Sequence, residues 1–505
     1  MTSLATNPEL VRHLRTELRQ RRVIIATVVS YVAMALVAMT ISANQPVAHQ
    51  LRPDFFKALF ITLIVVQSVV FLLWCVYACG NRISTERMQK TFDFVRTTRL
   101  SAGELVFGMV FGLPSMAYFI LLATSPAVIA AGLLAHYSIV AILLTYFMLF
   151  VVGLVLSLFG LLVSMLMEKP QPAGMIFILW LCIWPWSVAA AAGGGDSIFP
   201  ALITLSVVPC LLPFYGYVPY EANPAVSSVT LFGLHMPSLL VSLLLFASFG
   251  LWLAQPLLRN LKKDMEDMRL LSRWQGIGLA AYFNVVGFAM LDMHRVLGLK
   301  SRANATVDVS NGFVLMNCLV FYAVGLAMVS SAPKLRAWWR NSGSSLDRYW
   351  NQDGPPLLWM LAAAATALAV YAGAAVAWTR LIPLRSWPVP VLPLFVVFAY
   401  AAKDIMFLQW CCTTRFRRPV TMGVLFLGLY YAAVTVVILT LFREPVQDRV
   451  IAFFMPFSAI AGENITTSAL GAGVQLAVAL LFMRWIELRL DRPARILPAG
   501  SSAAA

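Results

Sequence analysis

The chain has 505 residues, of which 60% are hydrophobic and 12% are charged, and its mean hydropathy is +0.81. This composition excludes an ordinary soluble protein, which needs a larger polar exterior around its core. The net charge of +15 suggests nucleic acid, but most Lys and Arg residues lie in short segments beside apolar runs, where they set membrane orientation. The sequence therefore predicts an all-α polytopic membrane protein, with the lipid bilayer and not nucleic acid as its surroundings.

Twelve apolar runs are long enough to cross the membrane, because about 20 helical residues span roughly 30 Å of hydrocarbon. They form two groups of six, which predicts a first transmembrane domain at 23–258, a linker at 259–274, a second, degenerate domain at 275–488 and a tail at 489–505. The approximate spans are 23–41, 58–79, one from about 105, 138–167, 174–192, 237–254, 277–291, 312–330, 356–378, 389–412, 420–441 and 470–486.

The N-terminal segment 1–22 is predicted to lie on the membrane surface. Leu10, Val11 and Leu14 share one face of a helix, and arginines cover most of the other. Lys and Arg are about three times as frequent in the loops on this side of the predicted spans as on the opposite side. This bias places both termini in the cytoplasm.

A second irregular segment, Ile198–Tyr220, is apolar but contains four prolines. Prolines at this density exclude one continuous helix, because each removes a backbone donor and strains the preceding turn. We expect short re-entrant half-helices here, on the outer face.

The stretch Gly80–Glu104 is polar and helix-prone, and it lies between two long apolar runs. As one helix it places Met88, Thr91, Phe92 and Val95 in a narrow apolar seam. The pattern fits an amphipathic helix that lies along the cytoplasmic membrane face. It also fits a solvated connector, so the local pattern leaves both interpretations open.

Capping residues predict where this stretch begins and ends. Ser84 is predicted to cap its start, with Glu86 in the first turn, and Ser101 with Glu104 has the spacing of a capping box for the next span. Pro114 is expected to kink that span.

Short matches between the halves indicate an internal duplication. MLMEKPQPAGMIFILWL and CTTRFRRPVTMGVLFLGL both carry a basic residue before proline and then an apolar span, and Leu212–Phe214 recurs as Met455–Phe457. Pro333–Gly354 is then the second copy of the polar stretch. Its candidate coupling residues are Leu335, Arg336, Trp338, Trp339 and Arg340, although the tryptophans also fit a role as interfacial anchors.

The first half, roughly 7–260, resembles the type-2 ABC transporter permease family. The matching positions are Ile83, Ser84, Glu86, Thr91, Leu100, Ser101, Glu104 and Gly108. Lys90, Arg99 and Met109 depart from the family pattern, which commonly has glycine, proline and lysine there. The resemblance implies a bacterial inner-membrane exporter of a hydrophobic or amphipathic substrate, and it implies docking of an ATPase subunit on Ile83, Ser84, Glu86, Arg87, Thr91, Ser101 and Glu104.

The chain has no G-x-x-x-x-G-K-[ST] motif, so it lacks that phosphate-binding loop. We therefore expect no cofactor or enzymatic activity in this chain, and we expect ATP and Mg²⁺ to bind to separate ATPase subunits. Two such subunits are expected if both halves are transmembrane domains. A homodimer, or pairing with another permease subunit, is expected if the repeat is spurious.

Lys403 and Asp404 lie near the middle of a predicted span, where an unpaired charge costs about 2.5–3.5 kcal/mol. Adjacent side chains diverge by about 100° on a helix, so each is expected to pair with a different helix. The alternative is an ion-coupled secondary transporter that uses both residues.

A membrane enzyme or scaffold is the third hypothesis. The five histidines show no H-E-x-x-H pair and no nearby carboxylate cluster, so no metal or catalytic site is predicted.

Overall fold

The structure is a computed structural model that describes residues 7–43, 53–166, 228–231, 234–263, 268–289, 302–341, 349–351, 353–378, 390–414, 419–442, 450–451, 453–454 and 465–491. Ten helices in these ranges are long and apolar enough to cross a membrane, so the chain is a multi-pass helical membrane protein. The chain divides into two compact units. Unit 1 is Met1–Met265 with Met290–Met293, and unit 2 is Glu266–Ala289 with His294–Ala505.

The described residues of unit 1 are helical apart from one short hairpin that the sequence did not predict. The hairpin pairs Ser228 with Pro237 and Leu231 with Leu234, directly before the last long helix of the unit. The elements are α1 (Pro8–Glu17), α2 (Gln20–Ala43), α3 (Pro53–Gly80), α4 (Arg82–Met88), α5 (Phe92–Thr97), α6 (Ala102–Gly112), α7 (Ser115–Leu134), α8 (Ile139–Leu166), β1 (Ser228–Leu231), β2 (Leu234–Pro237) and α9 (Ser238–Asn260).

The predicted N-terminal helix is present as α1, but it is shorter than predicted, and its position at the membrane surface stays a prediction. The Asn7 side chain caps it by accepting hydrogen bonds from the backbone N–H groups of Glu9 and Leu10, at 3.0 and 3.3 Å. The helix ends at Glu17, and α2 begins at Gln20. The arginines at 21 and 22 therefore belong to the first spanning helix, because the apolar run carries its helix one turn into the polar segment.

The predicted kink of the third span is confirmed as a full break. Helix α6 ends at Gly112 and α7 begins at Ser115, with Leu113 and Pro114 between them. The capping box at the start of α6 is also confirmed. Its Ser101 side chain accepts from the Glu104 N–H at 3.2 Å, and the Glu104 carboxylate accepts from the Ser101 N–H at 2.8 Å.

Unit 2 contains the second set of spans. The predicted spans at 356–378, 389–412 and 420–441 are confirmed within two residues at each end. The elements are α10 (Arg273–Ala289), α11 (Arg302–Ala327), α12 (Ala332–Asn341), α13 (Leu357–Ala377), α14 (Val391–Cys411), α15 (Pro419–Leu441) and α16 (Ile465–Leu490). The predicted fifth span, the re-entrant segment at 198–220 and most of the tail lie outside the described residues. A total of twelve spans therefore stays a prediction.

The helices pack in the same order in both units. In unit 1, α3 contacts α2, α7 and α8, while α2 also contacts α7 and α9 contacts α8. In unit 2, α11 contacts α10, α13 and α14, while α10 also contacts α13 and α16 contacts α14. Each unit thus surrounds its second and fourth long helices with equivalent neighbours, which is the packing expected of a duplicated domain.

Candidate functional site

The polar stretch between α3 and α6 is two short helices, not the single helix that the sequence predicts. Helix α4 ends in a tight turn at Gln89 and Lys90, and α5 begins at Phe92. The Thr91 N–H donates to the Glu86 carbonyl and the Lys90 N–H donates to the Arg87 carbonyl, both at 3.0 Å. This is the hydrogen-bond pattern of a Schellman C-cap.

Lys90 occupies the left-handed position of that cap, with φ of 57°. Glycine is favoured there because it has no Cβ to clash with the backbone. The sequence resemblance placed a glycine at this same position. The turn is therefore present although its preferred residue is replaced.

Ser84 does not cap α4, contrary to the sequence-based prediction. Asn81 precedes the helix, and Ser84 lies inside it, fully buried. Its backbone N–H donates to the Ser164 Oγ of α8 at 3.1 Å, and the Arg87 guanidinium donates to the Met165 carbonyl at 2.6 Å. These bonds fasten α4 to the last turn of α8.

Glu86 is a buried carboxylate at the centre of an ionic cluster whose arginines reach the surface. Its Oε1 lies 3.1 Å from a guanidinium nitrogen of Arg12 on α1 and 3.0 Å from one of Arg82. Arg12 also contacts Glu9 at 2.6 Å, and His13 lies 2.9 Å from the same Glu9 oxygen. The sequence predicts no carboxylate cluster near a histidine. The structure places one carboxylate, Glu9, beside His13 and links it through Arg12 to Glu86.

The cluster gives Glu9 a perturbed pKa. Burial alone would raise the pKa, but the hydrogen bond with His13 and the positive charges of His13, Arg12 and Arg82 outweigh burial. The net pKa of Glu9 lies below its ordinary value of 4.5. The carboxylate is therefore ionised at neutral pH and holds α1 to its neighbours.

Helix α1 rests on a glycine face of α6. A Cβ on Gly108 would lie 2.9 Å from the Glu9 Cβ and 3.0 Å from the backbone nitrogen of Leu10, and one on Gly112 would lie 2.7 Å from the His13 Cβ. The two glycines are four residues apart, the spacing that lets helices approach closely. The Gly-x-x-x-Gly spacing is visible in the sequence, but the sequence-based predictions do not include the contact of α1 with α6.

The outer surface of α4 and α5 carries two large apolar side chains. Phe94 is 76% exposed and Met88 is 54% exposed, whereas Phe92 and Val95 are buried. The predicted apolar seam is therefore wrong for Met88 and Thr91, which are both exposed, because the turn at Lys90 changes the direction of the chain. We call Met88–Phe94 the α4–α5 tip.

The other predicted coupling residues lie around this tip. Thr91 is exposed, and its hydroxyl donates to the Glu86 carbonyl at 3.1 Å. Ile83 is buried beneath α4, while Ser101 and Glu104 form the capping box of α6. Lys262, after α9, donates to the Thr98 carbonyl at 3.1 Å. The tip thus projects from a base that joins α1, α6, α8 and the end of α9.

The equivalent segment of unit 2, helix α12, has a different surface. Leu335 and Trp338 are buried, while Arg336 and Arg340 are exposed. The indole of Trp339 donates to Asp491 at 2.8 Å. Burial contradicts an interfacial anchoring role for Trp338, since α12 packs against α16.

Lys403 and Asp404 are both buried in α14. Asp404 accepts hydrogen bonds from Tyr322 of α11 at 2.6 Å and from Tyr431 of α15 at 2.8 Å, so its predicted pairing with other helices is confirmed. The Lys403 ammonium lies 3.0 Å from Asp404 and 4.7 Å from the ring centre of Tyr430. The expectation that the two side chains diverge is wrong, because the flexible lysine stem folds back to the neighbouring carboxylate.

No known protein family, curated protein or solved structure matches this chain. Among the described residues, no group of three or more His, Cys, Asp or Glu side chains is placed to hold a metal ion.

Proposed function

We propose that this chain is the membrane-spanning subunit of an ATP-driven transporter, and that separate ATPase subunits dock on the α4–α5 tip. The supporting observation is the exposure of Phe94 and Met88 on a segment whose base is buried and ionically fixed. A simple solvated connector needs neither property. Large apolar side chains on a rigid polar surface are typical of protein contact sites.

The base of the tip supplies a route from docking to the spanning helices. A displacement of α4 acts on α8 through Ser84 and Arg87, and it acts on α1 through the ion pair of Glu86 with Arg12. Helix α1 in turn rests on α6. Movement of an attached ATPase would therefore reach α1, α6 and the spanning helix α8 through short contacts.

The proposal places the tip in the cytoplasm of a bacterial cell, in agreement with the charge bias of the sequence. ATP and Mg²⁺ then belong to the partner, and the cargo is a hydrophobic or amphipathic molecule that is exported. The repeated packing order favours two transmembrane domains in one chain and two ATPase subunits. The exposed face of α12 is basic, so the second docking contact would depend more on charge.

A second candidate function is ion-coupled transport, and one observation favours it. Lys403 and Asp404 form a buried ion pair with two tyrosine hydroxyls from neighbouring helices, an arrangement found in proton pathways. Such clusters also occur as structural links between helices. ATP depletion at a constant ion gradient should stop transport if the first function is correct and leave transport intact if the second is correct.

Co-purification tests the proposed function. The chain is expressed with a candidate ATP-binding-cassette subunit from the same organism, and complex formation is measured for the unchanged chain, Phe94→Glu, Met88→Glu and the conservative control Phe94→Leu. We expect the glutamate variants to lose the complex and Phe94→Leu to retain it. Retention by both glutamate variants would refute docking at the tip. Glu86→Lys is less informative, because it places a lysine in a buried site beside two arginines.

A further inference from the structure

Unit 2 contains an open cavity of about 1030 Å³ between α14, α15 and α16, which Phe453 and Phe454 also line. Its volume is at the upper end of the range of about 300–1,000 Å³ for small-molecule sites. Phe426 and Tyr430 of α15 and Val474 of α16 line it and are partly exposed on the outer surface of the unit. The cavity is therefore accessible from the bilayer side.

One wall of the cavity is a packed group of aromatic side chains. The ring of Phe482 lies 5.4 Å from that of Phe407 and 5.9 Å from that of Trp410. Because these rings hold one another in place, the wall is preformed. A long apolar body fits against such a surface with little reorganisation.

A cation lies at one end of this wall. The Arg489 guanidinium stacks over the Trp410 ring at 5.3 Å and lines the cavity near the ends of α14 and α16. Within the described part of the chain, Arg489 has no carboxylate within ion-pair distance. Lys403 also lines the cavity, but Asp404 already balances its charge at 3.0 Å. An anionic group would therefore bind at Arg489.

A polar side chain with no hydrogen-bond partner among the described residues lies at the other end. Gln475 lines the cavity with 4% of its surface exposed, and no other described residue forms a hydrogen bond with it. A buried amide with two donors and an acceptor normally has a partner. The helical rise of about 1.5 Å per residue separates Gln475 from Arg489 by about 20 Å along α16.

We propose that this cavity binds an elongated anionic amphiphile with two polar ends. Its acidic group pairs with Arg489, its apolar body lies along the aromatic wall, and a hydroxyl or similar group at the far end bonds to Gln475. The site lies within unit 2 and does not depend on ATPase docking.

Equilibrium binding to the purified full-length chain tests this assignment. The chain is placed in nanodiscs of zwitterionic lipid, and labelled palmitate is compared with labelled ω-hydroxypalmitate, which adds a hydroxyl at the far end. We expect saturable binding of both probes, with the hydroxylated probe bound about tenfold more tightly.

Three variants assign the ends of the ligand. Gln475→Leu should abolish the preference for ω-hydroxypalmitate while palmitate still binds. Arg489→Gln should weaken both probes by about tenfold. Arg484→Gln is the matched control, because Arg484 is on the same helix but pairs with Glu487 at 2.9 Å and does not line the cavity. It should change neither affinity.

Several results would overturn the proposal. The first is the absence of saturable binding, and the second is an unchanged preference for ω-hydroxypalmitate in Gln475→Leu. The others are a loss of affinity in Arg484→Gln equal to that in Arg489→Gln, and binding that requires acidic phospholipid in the nanodisc. Thermal unfolding of each variant, measured in the same nanodiscs, shows whether a lost affinity reflects a lost fold.

Discussion

The backbone N–H of Ser84 donates to the Ser164 hydroxyl of α8, two residues before that helix ends. Unit 2 repeats this relationship with different chemistry. Gln409 of α14, also two residues before the helix end, accepts from the Ser330 N–H and donates to the Ser330 carbonyl, both at 2.8 Å. In each unit, the segment after the second long helix is fastened to the end of the fourth.

Removing the Ser164 hydroxyl should loosen α4 without unfolding unit 1. Ser164→Ala leaves the buried Ser84 N–H without its acceptor, at a cost of about 1–3 kcal/mol. Hydrogen exchange over residues 82–97 should become faster, while exchange in the middle of α8 stays unchanged. Uniform faster exchange throughout unit 1 would show that the bond serves global stability.

Lys90→Gly should stabilise the turn between α4 and α5. The left-handed backbone at Lys90 costs a residue with a Cβ about 1 kcal/mol relative to glycine. We expect slower hydrogen exchange at 89–91 in the glycine variant and faster exchange in Lys90→Val, whose branched side chain tolerates this conformation least. If hydrogen exchange at 89–91 changed in the same direction in both variants, the left-handed turn geometry would be contradicted.

Gly108→Ala should displace α1 from α6, because the new methyl would meet the Glu9 side chain and the Leu10 backbone at 2.9–3.0 Å. We expect the packing of α1 against α6 to lose about 1–3 kcal/mol of stability. Gly103→Ala is the control, since its nearest neighbour, Leu258, would lie 3.9 Å away. Proteolysis within residues 8–17 should increase in the first variant only.

The attachment of α1 should be lost in acid. A carboxylate whose pKa is lowered on folding stabilises the folded state above its ordinary pKa, here 4.5, and this contribution disappears as pH falls through the lower folded pKa. Protection of α1 from exchange, after correction for the intrinsic rate, should stay constant from about pH 7 to pH 5 and fall below pH 4.5. Glu9→Gln should remove this extra acid dependence, and an unchanged profile in that variant would contradict it.

Single and double substitutions at Lys403 and Asp404 separate a structural role from transport chemistry. Lys403→Met or Asp404→Leu leaves one buried charge unpaired and should cost about 3–5 kcal/mol, whereas the double variant should cost much less. If the double variant also transports normally with ATP present, the pair is structural. Loss of transport in a fully stable double variant would favour the ion-coupled hypothesis.

The features that the sequence predicts correctly depend on neighbouring residues. Apolar run length locates the spans, and the capping box at Ser101 and Glu104 is a pattern of four consecutive positions. The break at Lys90 was missed because the residues around it include neither glycine nor proline. The burial of Glu86 depends on Arg12, 74 positions away in the sequence, and the Asp404 site depends on Tyr322. No local pattern contains such pairings.

Photocrosslinking from position 94 most directly tests docking at the α4–α5 tip. A photoreactive amino acid replaces Phe94 in one variant and Leu122, a 73% exposed side chain of the spanning helix α7, in the control. In membranes that contain the candidate ATP-binding-cassette subunit, we predict a crosslink to that subunit from position 94 and none from position 122. Equal ATPase yields from both positions, or lipid adducts alone from position 94, would contradict ATPase docking at the tip.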